Sequence, residues 1–201
     1  MSDLSLARAE LRARQGKGAR YDAPHAPAEA LHLARRGVAY LARIVNGLDD
    51  LGLNVTSPRT GWSRRRVIAG TALQARRIAQ AIEDATGRQG DRAPTDLAAL
   101  DLAETLPPRA LRHLTYHSAI HLDVVWRDLS DAEWDLPVAL PDMAARIRET
   151  AEARARQLWQ AALDLDAGGR LRDVPDAIRA DLAQARQSVS ASPARGLYSQ
   201  P

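Results

Sequence analysis

PAEALHLARRGVAYLARIVNGL (Pro27–Leu48) decides the fold class. Leu31, Ala34, Val38, Leu41 and Val45 recur every three or four residues, so they line one face of an α-helix. Pro27 suits the opening turn, where its missing N–H would have no helical partner. Downstream, Ser63 reads as the N-cap of a second helix that ends near Gly87, with Val67, Ala69, Leu73, Ile78 and Ile82 on its inner face. A third helix begins at Pro107-Pro108 and runs to about Leu129. A fourth is expected from near Pro141 to Gly168-Gly169, with Met143, Ile147, Leu158, Ala162 and Leu165 available for packing. Shorter helical stretches are Asp3–Gln15, Asp96–Thr105 and Pro175–Gln187. No segment carries a strand signal. Four long amphipathic helices predict an all-α four-helix bundle over residues 27–187. Residues 1–26 add a short N-terminal helix and loop, the segment after Pro175 an extra C-terminal helix, and residues 188–201 a flexible tail.

Composition agrees. Of 201 residues 45% are hydrophobic but only 4% aromatic, with no Phe, so the core must come from Leu, Ala, Val and Ile, which favours helix over a β-sandwich. The absence of cysteine excludes a disulfide framework, a thiolate metal site and a cysteine nucleophile. No apolar run reaches the ~20 residues of a membrane span, and the leader MSDLSLARAELRARQ is too charged for a secretory signal, so a cytoplasmic protein with no membrane partner is expected. The net charge of +3 invites a nucleic-acid reading, but acidic and basic residues alternate along the chain. Arg64-Arg65-Arg66 would fan over about 200° of a helix rather than form a stripe, and no nucleic-acid partner is expected.

There is no glycine-rich phosphate loop, no HExxH and no nucleophile elbow. His113, His117 and His121 repeat every four residues and drift only ~40° per step around a helix. Spread over ~12 Å of axis, the three cannot share one ion at ~2 Å. They read as pocket-lining or hydrogen-bonded groups, as acid–base groups in a metal-free site, or, two neighbours together with a carboxylate or imidazole from another helix, as part of a relocated metal site.

Five segments carry a family resemblance: LRARQGKGARYDAP (Leu11–Pro24), ARRGVAYLAR (Ala34–Arg43), GWSRRRVIAG (Gly61–Gly70), LPPRALRHLTYHSAIHLDVVWRDL (Leu106–Leu129) and RARQLWQAALDLDAGG (Arg154–Gly169). Together the chain resembles the mycothiol-dependent maleylpyruvate isomerases of actinobacteria, whose amino-terminal domain is a DinB-like four-helix bundle. The run from His117 to Asp128 is the most specific part of the match. The resemblance implies a thiol-assisted cis–trans isomerisation at a divalent metal, normally zinc. In the family the metal is held by a His on the second helix and a Glu-x-x-x-His pair on the fourth. Here those positions are Gly70, Gln157 and Ala161. All three ligands are replaced, so no metal is expected at the inherited site. The family isomerases also continue into a second, carboxy-terminal domain, which this sequence is expected to lack.

The resulting expectation is a diverged, metal-independent enzyme of this family. It would act on a small unsaturated or carboxylate-bearing substrate by isomerisation, elimination or thiol addition, with mycothiol or another low-molecular-weight thiol as its candidate cofactor. His117 and His121 are the candidate catalytic residues; Arg66, Gln74, His113, Tyr116 and Gln157 are the candidate substrate-binding residues. Arg66 would meet an anion if it points inward, and otherwise reaches solvent beside Arg65. Trp62, Trp126, Trp134 and Trp159 read as packing anchors. Two alternatives stand beside the enzyme: a non-catalytic protein binding a small anion, and a homodimer that covers an exposed apolar face.

Overall fold

The computed structural model describes residues 21–90, 92–141 and 143–191, with the backbone alone for 143–145 and 184–191. The expected helix at Asp3–Gln15 and the end of the tail, residues 192–201, lie outside the described residues.

Helix α1 (Ala28–Gly47) opens after Pro27, whose carbonyl accepts from Leu31 N–H at 2.9 Å. Leu31, Ala34, Leu41 and Val45 are buried as their spacing predicts, and Val38 packs half-buried at the edge of the core. Helix α2 (Arg64–Ala85) is capped by Ser63, whose Oγ accepts from Arg66 N–H at 3.0 Å. The short α3 (Leu97–Glu104) is capped by Asp96 in the same way. Helix α4 (Pro108–Arg127) starts on the proline pair and is followed by α5 (Ile147–Asp164) and α6 (Asp176–Ala191).

α1 packs along α5, and α2 packs along α4 while also touching α5, so α2 and α5 form the diagonal seam of a four-helix bundle. α3 lies across the amino-terminal half of α2. One half of the core gathers Leu41, Val67, Leu158, Trp159 and Ala162; the other gathers Leu31, Ile78, Trp126, Trp134 and Ile147. Trp126 and Trp159 satisfy their indole N–H groups on Thr150 Oγ1 (3.1 Å) and Leu33 O (3.2 Å), which fixes both rings as packing anchors.

The expectation of no strand and of a helix starting near Pro141 is corrected by a two-stranded antiparallel hairpin, β1 (Pro137–Leu140) and β2 (Met143–Arg146), joined in register Leu140↔Met143. Proline is common at a helix start, but it serves equally at a turn, and Pro141 lies at the turn between the strands. Helix α5 therefore begins six residues later, at Ile147, where Glu149 Oε2 accepts from Arg146 N–H at 3.0 Å. The last helix continues past the expected Gln187 to Ala191.

At the end of α5, Gly168 turns the chain with φ of +98° and Gly169 lies against the helix it has just left. A Cβ at Gly169 would stand 2.1 Å from the carbonyl oxygen of Ala162, a backbone atom with no freedom to move aside. Gly169→Ala is therefore expected to cost about 1–3 kcal/mol, read as a lower midpoint in urea unfolding at unchanged slope. An unchanged midpoint would show that the turn relaxes freely.

Candidate functional site

The three positions that the resemblance assigns to metal ligands fall on the α2–α5 seam. Gly70 is in the middle of α2, and a Cβ built on it would meet no heavy atom within 4 Å beyond its own helix. Ala161 is fully buried on α5, and Gln157 lies one turn before it, partly exposed. Between the two helices is Arg154, a residue that in the sequence stands in a run of mixed charges.

Arg154 is 1% exposed. Its Nη1 is within hydrogen-bond range of three neutral oxygens, Thr71 O (2.8 Å) and Gln74 Oε1 (2.9 Å) on α2 and Gln157 Oε1 (2.8 Å) on α5. Among the described residues no carboxylate pairs with it, and Nε and Nη2 make no hydrogen bond. Burial without a counter-charge pushes its pKa down to about 9, so the guanidinium remains charged at neutral pH. A buried cation held only by neutral dipoles is an expensive arrangement, and an anion is the group that would complete it.

These residues do not fit a divalent metal. A hydrogen atom, an amide already engaged by a guanidinium, and a methyl group stand at the three ligand positions. The permanent positive charge of Arg154 would repel a dication placed beside Gln157. Among the described residues no group of three or more His, Cys, Asp or Glu side chains could hold a metal ion elsewhere.

The other candidate residues are spread over separate faces of the bundle. Gln74 and Gln157 come together on Arg154. Arg66 does not face the seam; its Nη1 donates to Asp101 Oδ1 (2.7 Å) and Glu104 Oε2 (2.8 Å) of the α3 segment, and its guanidinium stacks over Trp62 at 4.9 Å. Of the two alternatives for Arg66, neither a pocket nor open solvent receives it: α3 supplies its counter-charges.

The histidines line the α2–α4 side. His113 and His117 are exposed and stack with ring centroids 6.0 Å apart. Tyr116 points outward and is 67% exposed. His121 pairs through Nε2 with Glu83 Oε1 at 3.1 Å, and Glu83, almost wholly buried, has no partner for Oε2 among the described residues. Glu83 is nine residues beyond Gln74 on α2, about 13 Å along the helix axis, so the His121–Glu83 pair and the Arg154 cluster do not share one pocket.

Spacing held the signal for Arg154. It precedes Gln157 by three residues and Ala161 by seven, which places it on the same stripe of α5 as the inherited ligand positions. Its neighbours Ala151, Ala155 and Leu158 are buried, so residue 154 had to be buried with them.

The fold and the seam together define a four-helix-bundle domain with a buried polar cluster between its second and last long helices. Residues 34–166 match the mycothiol maleylpyruvate isomerase N-terminal domain, and the chain belongs to that family. Two solved structures, of the mycothiol-dependent maleylpyruvate isomerase and of its variant with one histidine changed to alanine, are each similar to it at 30% identity with a TM-score of 0.68. Each alignment covers 76% of this chain and 65% of the other, so the chain spans just under two thirds of the length of those isomerases. No curated protein matches it. Among the described residues no helix is long and apolar enough to cross a membrane.

Proposed function

We propose that this protein is a cytoplasmic, metal-independent member of the isomerase family that binds a small carboxylate-bearing, unsaturated substrate at Arg154. The observation that carries the reading is the buried guanidinium of Arg154, unpaired with any carboxylate among the described residues and set among the three former ligand positions. In the related isomerases a cation at this place would be the metal; here a fixed cation of the chain takes over the attraction for negative charge. Gln74 and Gln157 hold Nη1 and leave Nε and Nη2 to grip a carboxylate, while Gly70 leaves the space that the substrate would occupy. A low-molecular-weight thiol, when bound, supplies a nucleophile for reversible addition to a double bond. The chain's own contribution is to orient the carboxylate and to stabilise the negative charge that develops beside it.

The bundle over residues 27–187 is the working unit, and its partner is a small molecule rather than nucleic acid. His117 and His121 would take part in proton transfer only on the α2–α4 side, away from the carboxylate anchor. That separation favours one second reading, a non-catalytic binding protein for the same class of anion.

Isomerisation of maleylpyruvate, followed by its loss of absorbance with mycothiol present, tests the enzyme reading. Turnover is expected to be unaffected by a chelator and to require Arg154, with purified protein carrying no stoichiometric zinc. Chelator-sensitive turnover with one zinc per chain would overturn the metal-independent reading. Carboxylate binding without turnover would leave the binding protein in its place.

A further inference from the structure

We infer that the groove between α2 and the start of α4 is a second ligand site, built for a small organic anion with an apolar or aromatic body. The groove is open to solvent and has a volume of about 710 Å³, within the size range of small-molecule sites, and Arg76, Leu106, Arg109, His113, Leu114 and His117 line it. Its lining combines apolar Leu106, Pro107, Ala110 and Leu114 with basic Arg76 and Arg109 and the two histidines, and no acidic residue lines it.

The state of its arginines is what points to an anion. Along the same elements Arg64, Arg65, Arg66 and Arg112 are all tied down, on carbonyl oxygens, carboxylates or both. Arg76, half-buried in the wall, and Arg109, exposed at the rim, make no hydrogen bond or ion pair among the described residues. Two guanidinium groups unpaired among the described residues, on a groove that no described acidic residue lines, leave a local positive potential there. Helix α4 adds to it: Pro107 at the N-cap supplies no capping oxygen, so the positive end of the helix is uncapped at the groove's edge. His113 and His117, stacked on each other, line the same groove and bring imidazole rings with N–H donors to it, a lining suited to a ligand with a planar body.

This site is separate from the Arg154 seam and does not rest on the reading given above. Gln74 and Arg76 are two residues apart on α2, about 200° around the helix, so one faces α5 and the other α4. A single ligand in the groove would therefore leave the seam free.

The test uses 8-anilinonaphthalene-1-sulfonate, whose sulfonate and fused rings supply both features and whose fluorescence rises on binding. The expected result is saturable binding of one probe per chain, weakened about tenfold or more by Arg76→Gln with Arg109→Gln and unchanged by Arg154→Met. Because neither arginine has a side-chain partner among the described residues, the double variant is expected to melt like the parent, which separates lost binding from lost folding. His113→Gln with His117→Gln provides an independent pair and is expected to weaken the probe in the same direction. Non-saturable binding, affinity indifferent to both pairs of changes, or loss of binding in Arg154→Met alone would each overturn the inference.

Discussion

Arg154→Met should leave a protein that melts at a higher temperature than the parent and no longer binds small carboxylates. The two effects have one cause. Arg154 is almost fully buried with neutral acceptors and, among the described residues, no counter-ion, so folding must strip a charge of water and return only dipoles. Methionine fills a similar volume among Ala151, Ala155 and Leu158 without that penalty. Its Gln74 and Gln157 partners are partly exposed and regain water when the guanidinium leaves. Replacing buried ionic groups with apolar ones of like shape is often stabilising by about 1–4 kcal/mol. Binding moves the other way. A charge-assisted contact to a buried guanidinium is worth about 2–5 kcal/mol, so affinity for maleate, read by titration calorimetry, should fall at least about 30-fold. A variant that binds maleate normally would remove Arg154 from the site. A variant that melts markedly lower would make the arginine a clamp between α2 and α5 rather than an anchor for a ligand.

That pairing of outcomes bears on why the fold was more legible than the site. Leu31, Ala34, Leu41 and Val45 announce their helix because burial on one face imposes a period, and Ser63 and Asp96 announce helix starts because orphan N–H groups need an acceptor. The hairpin at Pro137–Arg146 escaped because four-residue strands give too little alternation to outvote a proline followed by an alanine-rich run. Site residues obey no such period. Gly70, Gln157 and Ala161 were placed by resemblance, and the structure brings them to one seam with Gln74. Arg66 belongs to a contact with α3, set by Asp101 and Glu104, which sequence distance conceals. His113, His117 and His121 share a helix face, but that face meets α2 on the side away from α5. In the sequence Arg154 is one charge among several, with Arg146, Arg148, Glu149, Glu152 and Arg156 around it; only its register with Leu158 and Ala161 distinguishes it.

Replacing the neutral amide beside that guanidinium tests the same chemistry from the opposite direction. Gln157 Oε1 already lies 2.8 Å from Arg154 Nη1, so Gln157→Glu introduces a carboxylate without moving an atom. The contact becomes charge-assisted and the buried cation acquires a carboxylate where the described residues offer only neutral oxygens. The expected gain is about 1 kcal/mol, kept modest because residue 157 is partly exposed. Its sign with pH is fixed. The guanidinium lowers the new carboxyl's folded pKa below its unfolded value of about 4.3, so the gain is full above that value and disappears as pH falls through the folded one. Melting temperatures of variant and parent should therefore differ at pH 7 and converge under acid. The tethered carboxylate also occupies the site that a free one would use, so maleate affinity should drop even though Arg154 is intact. The change restores the residue type that the resemblance assigns to the isomerases at this position, yet zinc should still not bind, because Arg154 consumes the carboxylate and Gly70 and Ala161 offer no imidazole. Tight zinc binding by Gln157→Glu would show that the guanidinium yields its place to a metal. Undiminished maleate binding would show that the anion is held somewhere other than the α2–α5 seam.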